Sequence, residues 1–158
     1  MENAEILKPV VVLAGWTMLM WLWMYATRLP AIGKLPKDGA PGADVGWTGA
    51  KLDAILPGSA QWKAHNYNHL HEAPTVFYAV ALALAIGGMG GGLNAQLAWV
   101  YVGLRIVHSL IQVTVNRVMW RFAVFALASL ALLALCLPMF AVGAVPPVGG
   151  PTPRPTSP

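Results

Sequence analysis

Charge is scarce in this sequence. Of its 158 residues only 10% are Asp, Glu, Lys or Arg, against 57% hydrophobic, and the mean hydropathy is +0.59. Soluble domains carry about a quarter charged residues, so the deficit excludes an ordinary water-soluble domain. Acids are the scarcer sign: six Asp and Glu against ten Lys and Arg leave a net charge of +4. In a soluble chain that surplus would suggest nucleic acid. Here most basic residues flank apolar segments, where they act as topology signals, and no nucleic-acid partner is expected. Cysteine is almost missing. Cys136 alone allows no intrachain disulfide, no CxxC redox pair and no cysteine-rich metal site. A signal-peptide pattern is lacking too, because Glu2 and Glu5 replace a basic leader. The first apolar helix is expected to stay.

What is present is long apolar stretches. They predict an all-α membrane protein with four transmembrane helices in an up-down bundle, residues 1–142, spanning about 9–29, 62–86, 97–115 and 121–142. Pro9 suits the opening turn of the first span, and Arg28 with Pro30 should close it. Residues 31–61 form the long polar loop. Six glycines and three prolines punctuate it (Gly33 to Gly58, Pro36 to Pro57), leaving room for one short helix near Trp47–Leu56. The run Gly87 to Gly92 is an uncharged turn, and the tail 143–158, rich in Pro, Gly, Thr and Ser, is expected to be disordered.

Four spans place both termini on one side. Arg28, Lys34, Lys37, Lys51, Lys63, Arg117 and Arg121 flank the first and third loops, against Lys8 and Arg154 at the termini. That asymmetry predicts cytoplasmic first and third loops, with the termini on the opposite face. Trp62 and Trp120 then mark the cytoplasmic interface, and Trp99 the other.

The stretch Lys63 to Pro74 runs straight into the apolar segment Thr75–Ile86. That segment is too short for a span of roughly 20 residues, so the polar run must enter the bilayer with it. Asn68, His71 and Glu72 thereby become candidate functional residues, since lipid tolerates such groups only when they face protein or water. The third span carries Arg105, His108, Ser109, Gln112 and Asn116 at offsets of zero, three, four, seven and eleven, one helical face. Counting from the interfacial tryptophans puts Glu72 roughly 15 Å deep at 1.5 Å per residue. Arg105 falls at similar depth on an opposed helix, so the two are expected to pair. Ser109, Gln112 and Asn116 fit interhelical packing, where such groups are worth about 0.6 kcal/mol each. His65 and His69, four apart, resemble half a metal site, but His71 points about 200° away from His69. No metal is expected.

Arg121 opens the fourth span among Trp120, Phe122 and Phe125. An arginine in a partly dry pocket lowers a neighbouring thiol from its free pKa of about 8.5 and yields the nucleophilic thiolate.

Two segments resemble a known family. Asn68-His69-Leu70-His71-Glu72-Ala73-Pro74-Thr75-Val76-Phe77-Tyr78-Ala79 resembles the second-helix signature of the MAPEG family, the membrane-associated proteins in eicosanoid and glutathione metabolism. Tyr101 to Ser109 resembles its third-helix Arg-x-x-His signature, and Arg121 to Phe125 falls where that family has an arginine opening helix four. The resemblance covers roughly 61–135. It implies a homotrimer in the lipid bilayer, of the bacterial inner-membrane type with periplasmic termini, binding glutathione between subunits near the cytoplasmic side. It implies Arg121 as the catalytic residue that steadies the glutathione thiolate, with Asn68, Arg105 and His108 in the polar site or its support; the polar run adds His71 and Glu72 as residues expected to hold glutathione or shape its pocket. The activity implied is a glutathione-dependent transferase or peroxidase acting on lipophilic electrophiles. The alternative is a non-catalytic membrane protein that binds lipid or small molecules and keeps the polar cluster for helix packing. The chain departs from the family's pattern at three places. Ala64 stands where an arginine is common, His71 holds the place three after Asn68 with Glu72 one residue later, and Gln112 replaces a common tyrosine.

Overall fold

The computed structural model describes residues 4–34 and 48–141. It contains α1 (Leu7–Gly33), α2 (Gly49–Asp53), α3 (Gly58–His69), α4 (Ala73–Ile86), α5 (Gly92–Thr114) and α6 (Val118–Ala141). Four stretches are long and apolar enough to cross a membrane: α1, α3 with α4 taken together, α5, and α6 through Phe140. α5 packs most extensively on α6 and also meets α1 and α3, while α4 packs on α6 and α1. The four-span helical bundle expected from the sequence is what forms.

Each span buries only a narrow stripe. On α1 it is Pro9, Leu13, Thr17 and Met20, spaced four, four and three apart. Val11, Met18, Leu19 and Leu22 on the other faces are more than half exposed. In water such a surface would aggregate; in a bilayer it is the ordinary outer face. Small residues let the helices close in, and Ala81, Ala98, Ala128 and Ala131 all lie in the core beside Phe77, Leu84, Val102 and Leu135. Phe77 and Tyr101 stack with centroids 4.6 Å apart, tying α4 to α5.

Several boundaries differ from expectation. α1 continues through Pro30 to Gly33, because a proline near the end of a helix forfeits one backbone bond and not the helix. α5 begins at Gly92, five residues before Leu97. Gly92 itself has φ +55, which a glycine adopts freely, and the Asn94 side-chain amide donates to the Met89 carbonyl at 2.9 Å. α6 begins at Val118, before Arg121, so that arginine lies one turn inside the helix. The buried Ile6 donates its N–H to the Gly90 carbonyl at 2.9 Å and pins the N-terminal end to the glycine turn. The expected short helix in the first loop is α2, with Thr48 Oγ1 accepting from the Lys51 N–H at 3.3 Å. Disorder of the tail, and the fate of most of the first loop, concern residues outside the described ones.

The second span is the one whose interior departs from a single helix. Pro74 has no N–H for the Leu70 carbonyl and its ring opposes that carbonyl. The chain therefore stops at His69, tightens through His71 N–H to Asn68 O (2.9 Å), and restarts with Pro74 in the first turn of α4. Proline is well tolerated there. The break falls beside α5, and it frees backbone acceptors inside the protein.

Candidate functional site

Tyr101, Arg105, His108, Ser109 and Gln112 are all buried on one face of α5. Arg105 is 1% exposed. Its Nη2 donates to the His69 carbonyl at 2.8 Å and to His69 Nδ1 at 3.3 Å. The carbonyl is one that an unbroken helix would have given to Ala73, so the helix break and the buried guanidinium satisfy each other. An arginine only donates, so Nδ1 must accept and the imidazole proton belongs on Nε2. That Nε2 lies 3.7 Å from Glu72 Oε2.

The expected Glu72–Arg105 contact is therefore not made. His69 stands between them, and the Glu72 side chain is 66% exposed. The displacement follows from the break: Glu72 lies outside both helices, with a backbone conformation of neither, and swings away from α5.

His69 also stacks on His108, centroids 4.8 Å apart and planes 22° from parallel. Phe125 of α6 covers both rings at 5.5 and 6.2 Å, and the Arg105 guanidinium carbon lies 6.0 Å from its centroid. Arg121 sits one turn before Phe125 on α6, the same face. Its Nη1 donates to Asn116 Oδ1 at 2.6 Å. Three helices, α3, α5 and α6, thus supply one wall of imidazole, guanidinium and aromatic surface.

Of the residues singled out from sequence, Arg105 and His108 meet here, and Arg121 adjoins them through Phe125. Asn68 is exposed on the isolated chain. His71 is exposed too, with its Nδ1 on the Tyr67 carbonyl at 2.8 Å. His65 leaves the cluster altogether and pairs with Asp53 at 2.9 Å, parting from His69. Among the described residues no three His, Cys, Asp or Glu converge as metal ligands.

Two residues of the cluster lie outside the candidate site drawn from sequence. One is His69, the hub just described, which the sequence offered only as half a metal site. The other is Asn66, 1% exposed, whose side-chain amide donates to Ser109 Oγ at 2.6 Å. A signal for Asn66 was present: it lies eleven residues before Phe77, and Leu70 lies seven before, so the apolar face of α4 projects back onto both. The same projection puts Asn68 on the far side.

The Asn66–Ser109 bond yields a first prediction. Asn66 Oδ1 already lacks a partner, so Ser109→Ala orphans the amide as well. A buried orphan costs about 1–3 kcal/mol, and the loss should show in thermal unfolding in detergent. Adding Asn66→Leu should recover most of it. A double variant no better than Ser109→Ala refutes this account.

The profile of the MAPEG family matches residues 6–141. The chain belongs to the MAPEG family. The match runs from Ile6, pinned at the glycine turn, to the end of α6, and so takes in all four spans. No curated protein and no solved structure gives a match. Family membership together with the four apolar spans makes this MAPEG-family chain an integral membrane protein of the glutathione and eicosanoid metabolism group.

Proposed function

We propose that this protein is a membrane-bound glutathione-dependent transferase or peroxidase acting on lipophilic electrophiles. The observation that carries the reading is the Arg121 guanidinium: Nη1 is tied to Asn116, while Nε is buried without a partner. A buried donor left open beside an aromatic wall suits an anion, here the glutathione thiolate. Arg105 Nε and Nη1, also unpartnered, keep the interior positive and favour the same sign of ligand.

Arg121 would hold the sulfur in its ionised form, and the thiolate would attack an electrophile that reaches the site from the lipid. Arg105 and His108 shape the inner wall. Asn68, His71 and Glu72 are polar groups exposed on a membrane span of a lone chain, a costly arrangement in lipid. In a homotrimer a neighbouring subunit would cover them, and they would hold the carboxylates and amine of glutathione at that boundary. The basic-residue asymmetry supports cytoplasmic first and third loops and periplasmic termini in a bacterial inner membrane, so glutathione would enter from the cytoplasm.

The non-catalytic alternative draws on one observation. Arg105 already serves the helix break through the His69 carbonyl, which is a packing role. Titration of purified protein with glutathione, following thiolate absorbance, separates the two. A saturable thiolate signal is expected; no signal at millimolar glutathione removes the enzyme reading and leaves the alternative.

A further inference from the structure

We infer that Asn116 is a positioning residue for Arg121, the group that fixes which edge of the guanidinium the site receives. The inference rests on the glutathione reading above but draws on geometry of its own.

Asn116 follows α5 in the left-handed region, φ +50, the one non-glycine described residue with positive φ. Its N–H donates to the Ile111 carbonyl at 2.7 Å, beside the Val115 N–H at 3.1 Å, closing the end of α5. Asparagine tolerates this conformation better than most residues, though glycine is the usual choice. A side chain has been kept where the turn alone would favour none. That side chain is put to use: Oδ1 accepts from Arg121 Nη1 at 2.6 Å, across the turn and one helical turn into α6.

The geometry of a guanidinium makes the anchor selective. Nη1 lies on the side of the carbon facing the Cδ, so holding it leaves the Nε–Nη2 edge as the parallel pair of donors. Nε is the atom found buried and unpartnered. An amide anchor also adds no charge, whereas an Asp or Glu here would neutralise the cation that the thiolate needs. An unanchored arginine, with its many rotamers, would have to be ordered anew at each binding event. Asn116 does that ordering beforehand.

Two substitutions separate the side chain from the turn. Asn116→Gly keeps the backbone at ease and deletes only the Oδ1 acceptor; Asn116→Ala deletes the acceptor and strains the turn. With a positioning role, Asn116→Gly unfolds at or above the wild-type temperature, yet the pH midpoint for forming glutathione thiolate rises by about one unit, a tenfold smaller thiolate fraction below it. Asn116→Ala shows the same midpoint and a lower unfolding temperature. With a merely structural role, Asn116→Gly titrates like the wild type, and the inference is overturned. A second readout needs no glutathione: the side-chain Nε–H resonance of Arg121, assigned by its loss in Arg121→Lys. It should be sharp in the wild type and broadened by exchange in Asn116→Gly. If the wild type forms no thiolate, the functional reading fails by itself, and positioning is decided by that resonance: unchanged in Asn116→Gly, it is refuted.

Discussion

Arg105→Ala should lower stability by about 2–3 kcal/mol while Arg105→Met stays within about 1 kcal/mol of the wild type. Three effects compete. Truncating a large, fully buried side chain to alanine costs about 2–5 kcal/mol through the cavity it leaves. Losing the charged donor at the His69 carbonyl, which then keeps only the long 3.4 Å bond from the Glu72 N–H, costs about 1–3 kcal/mol more. Against these stands relief from a charge at membrane depth, about 2.5–3.5 kcal/mol on insertion scales. Arg105 is a candidate for that relief because Nε and Nη1 have no partner and no carboxylate pairs with it directly among the described residues. Methionine fills much of the same volume, so the cavity contribution nearly vanishes and the other two almost cancel.

The helix break supplies an internal check on this bookkeeping. Pro74→Ala restores an N–H for the Leu70 carbonyl and removes the ring that forces the interruption. The Ala73 N–H can then approach His69 O, the acceptor that Arg105 now serves. Pro74→Ala should therefore recover about 1–2 kcal/mol in the Arg105→Ala background, where that carbonyl keeps only the long bond from the Glu72 N–H. In the wild-type background it should not stabilise, because it competes with the arginine for one acceptor. Chemical unfolding in detergent micelles measures all five proteins. An Arg105→Met variant as unstable as Arg105→Ala sinks the cancellation, and strict additivity of Pro74 and Arg105 changes sinks the shared acceptor.

The α5 stripe was readable as far as Gln112, because an unbroken helix carries its phase across offsets of three, four and seven, and Arg105, His108, Ser109 and Gln112 are all buried together, whereas Asn116, expected on the same face, falls beyond the helix end at Thr114. The second span was readable as a span and, at Pro74, as a place of disturbance. What was not readable is how the disturbance resolves. A bent continuous helix and a broken one have the same composition, and only the broken one turns Glu72 outward and offers His69 O to a neighbour. Pairing Glu72 with Arg105 followed charge; the chain instead used a backbone carbonyl made available by proline. The anchoring of Arg121 was hidden for a different reason. Asn116 lies on the polar stripe and reads as one more packing residue, and its positive φ, which aims the amide toward α6, leaves no mark in residue spacing.

Arg121→Ala should reduce the thiolate fraction of bound glutathione about 100-fold at pH below the wild-type midpoint, the largest functional effect expected of any single change. A unit charge about 4 Å from the sulfur contributes roughly 4 kcal/mol at an effective dielectric of 20. Partial exposure of Arg121 and solvation of the variant site reduce that to about 3 kcal/mol, or two pKa units. The sign sets the pH dependence. Arg121 favours the ionised sulfur, so its loss moves the midpoint upward towards the free value of about 8.5. The deficit is then full below the wild-type midpoint, shrinks between the two midpoints, and vanishes above the higher one. Arg121→Lys keeps the charge but loses the planar fork and the bond to Asn116, so it should fall between, about tenfold below the wild type. The fold should survive both changes, because the Asn116 turn keeps its own backbone bond to Ile111. Thiolate absorbance across pH in wild type, Arg121→Ala and Arg121→Lys measures the series directly. Unshifted midpoints in all three would keep a glutathione site but take its thiolate chemistry away from Arg121, and Arg105, the buried cation in this wall, would become the group to test.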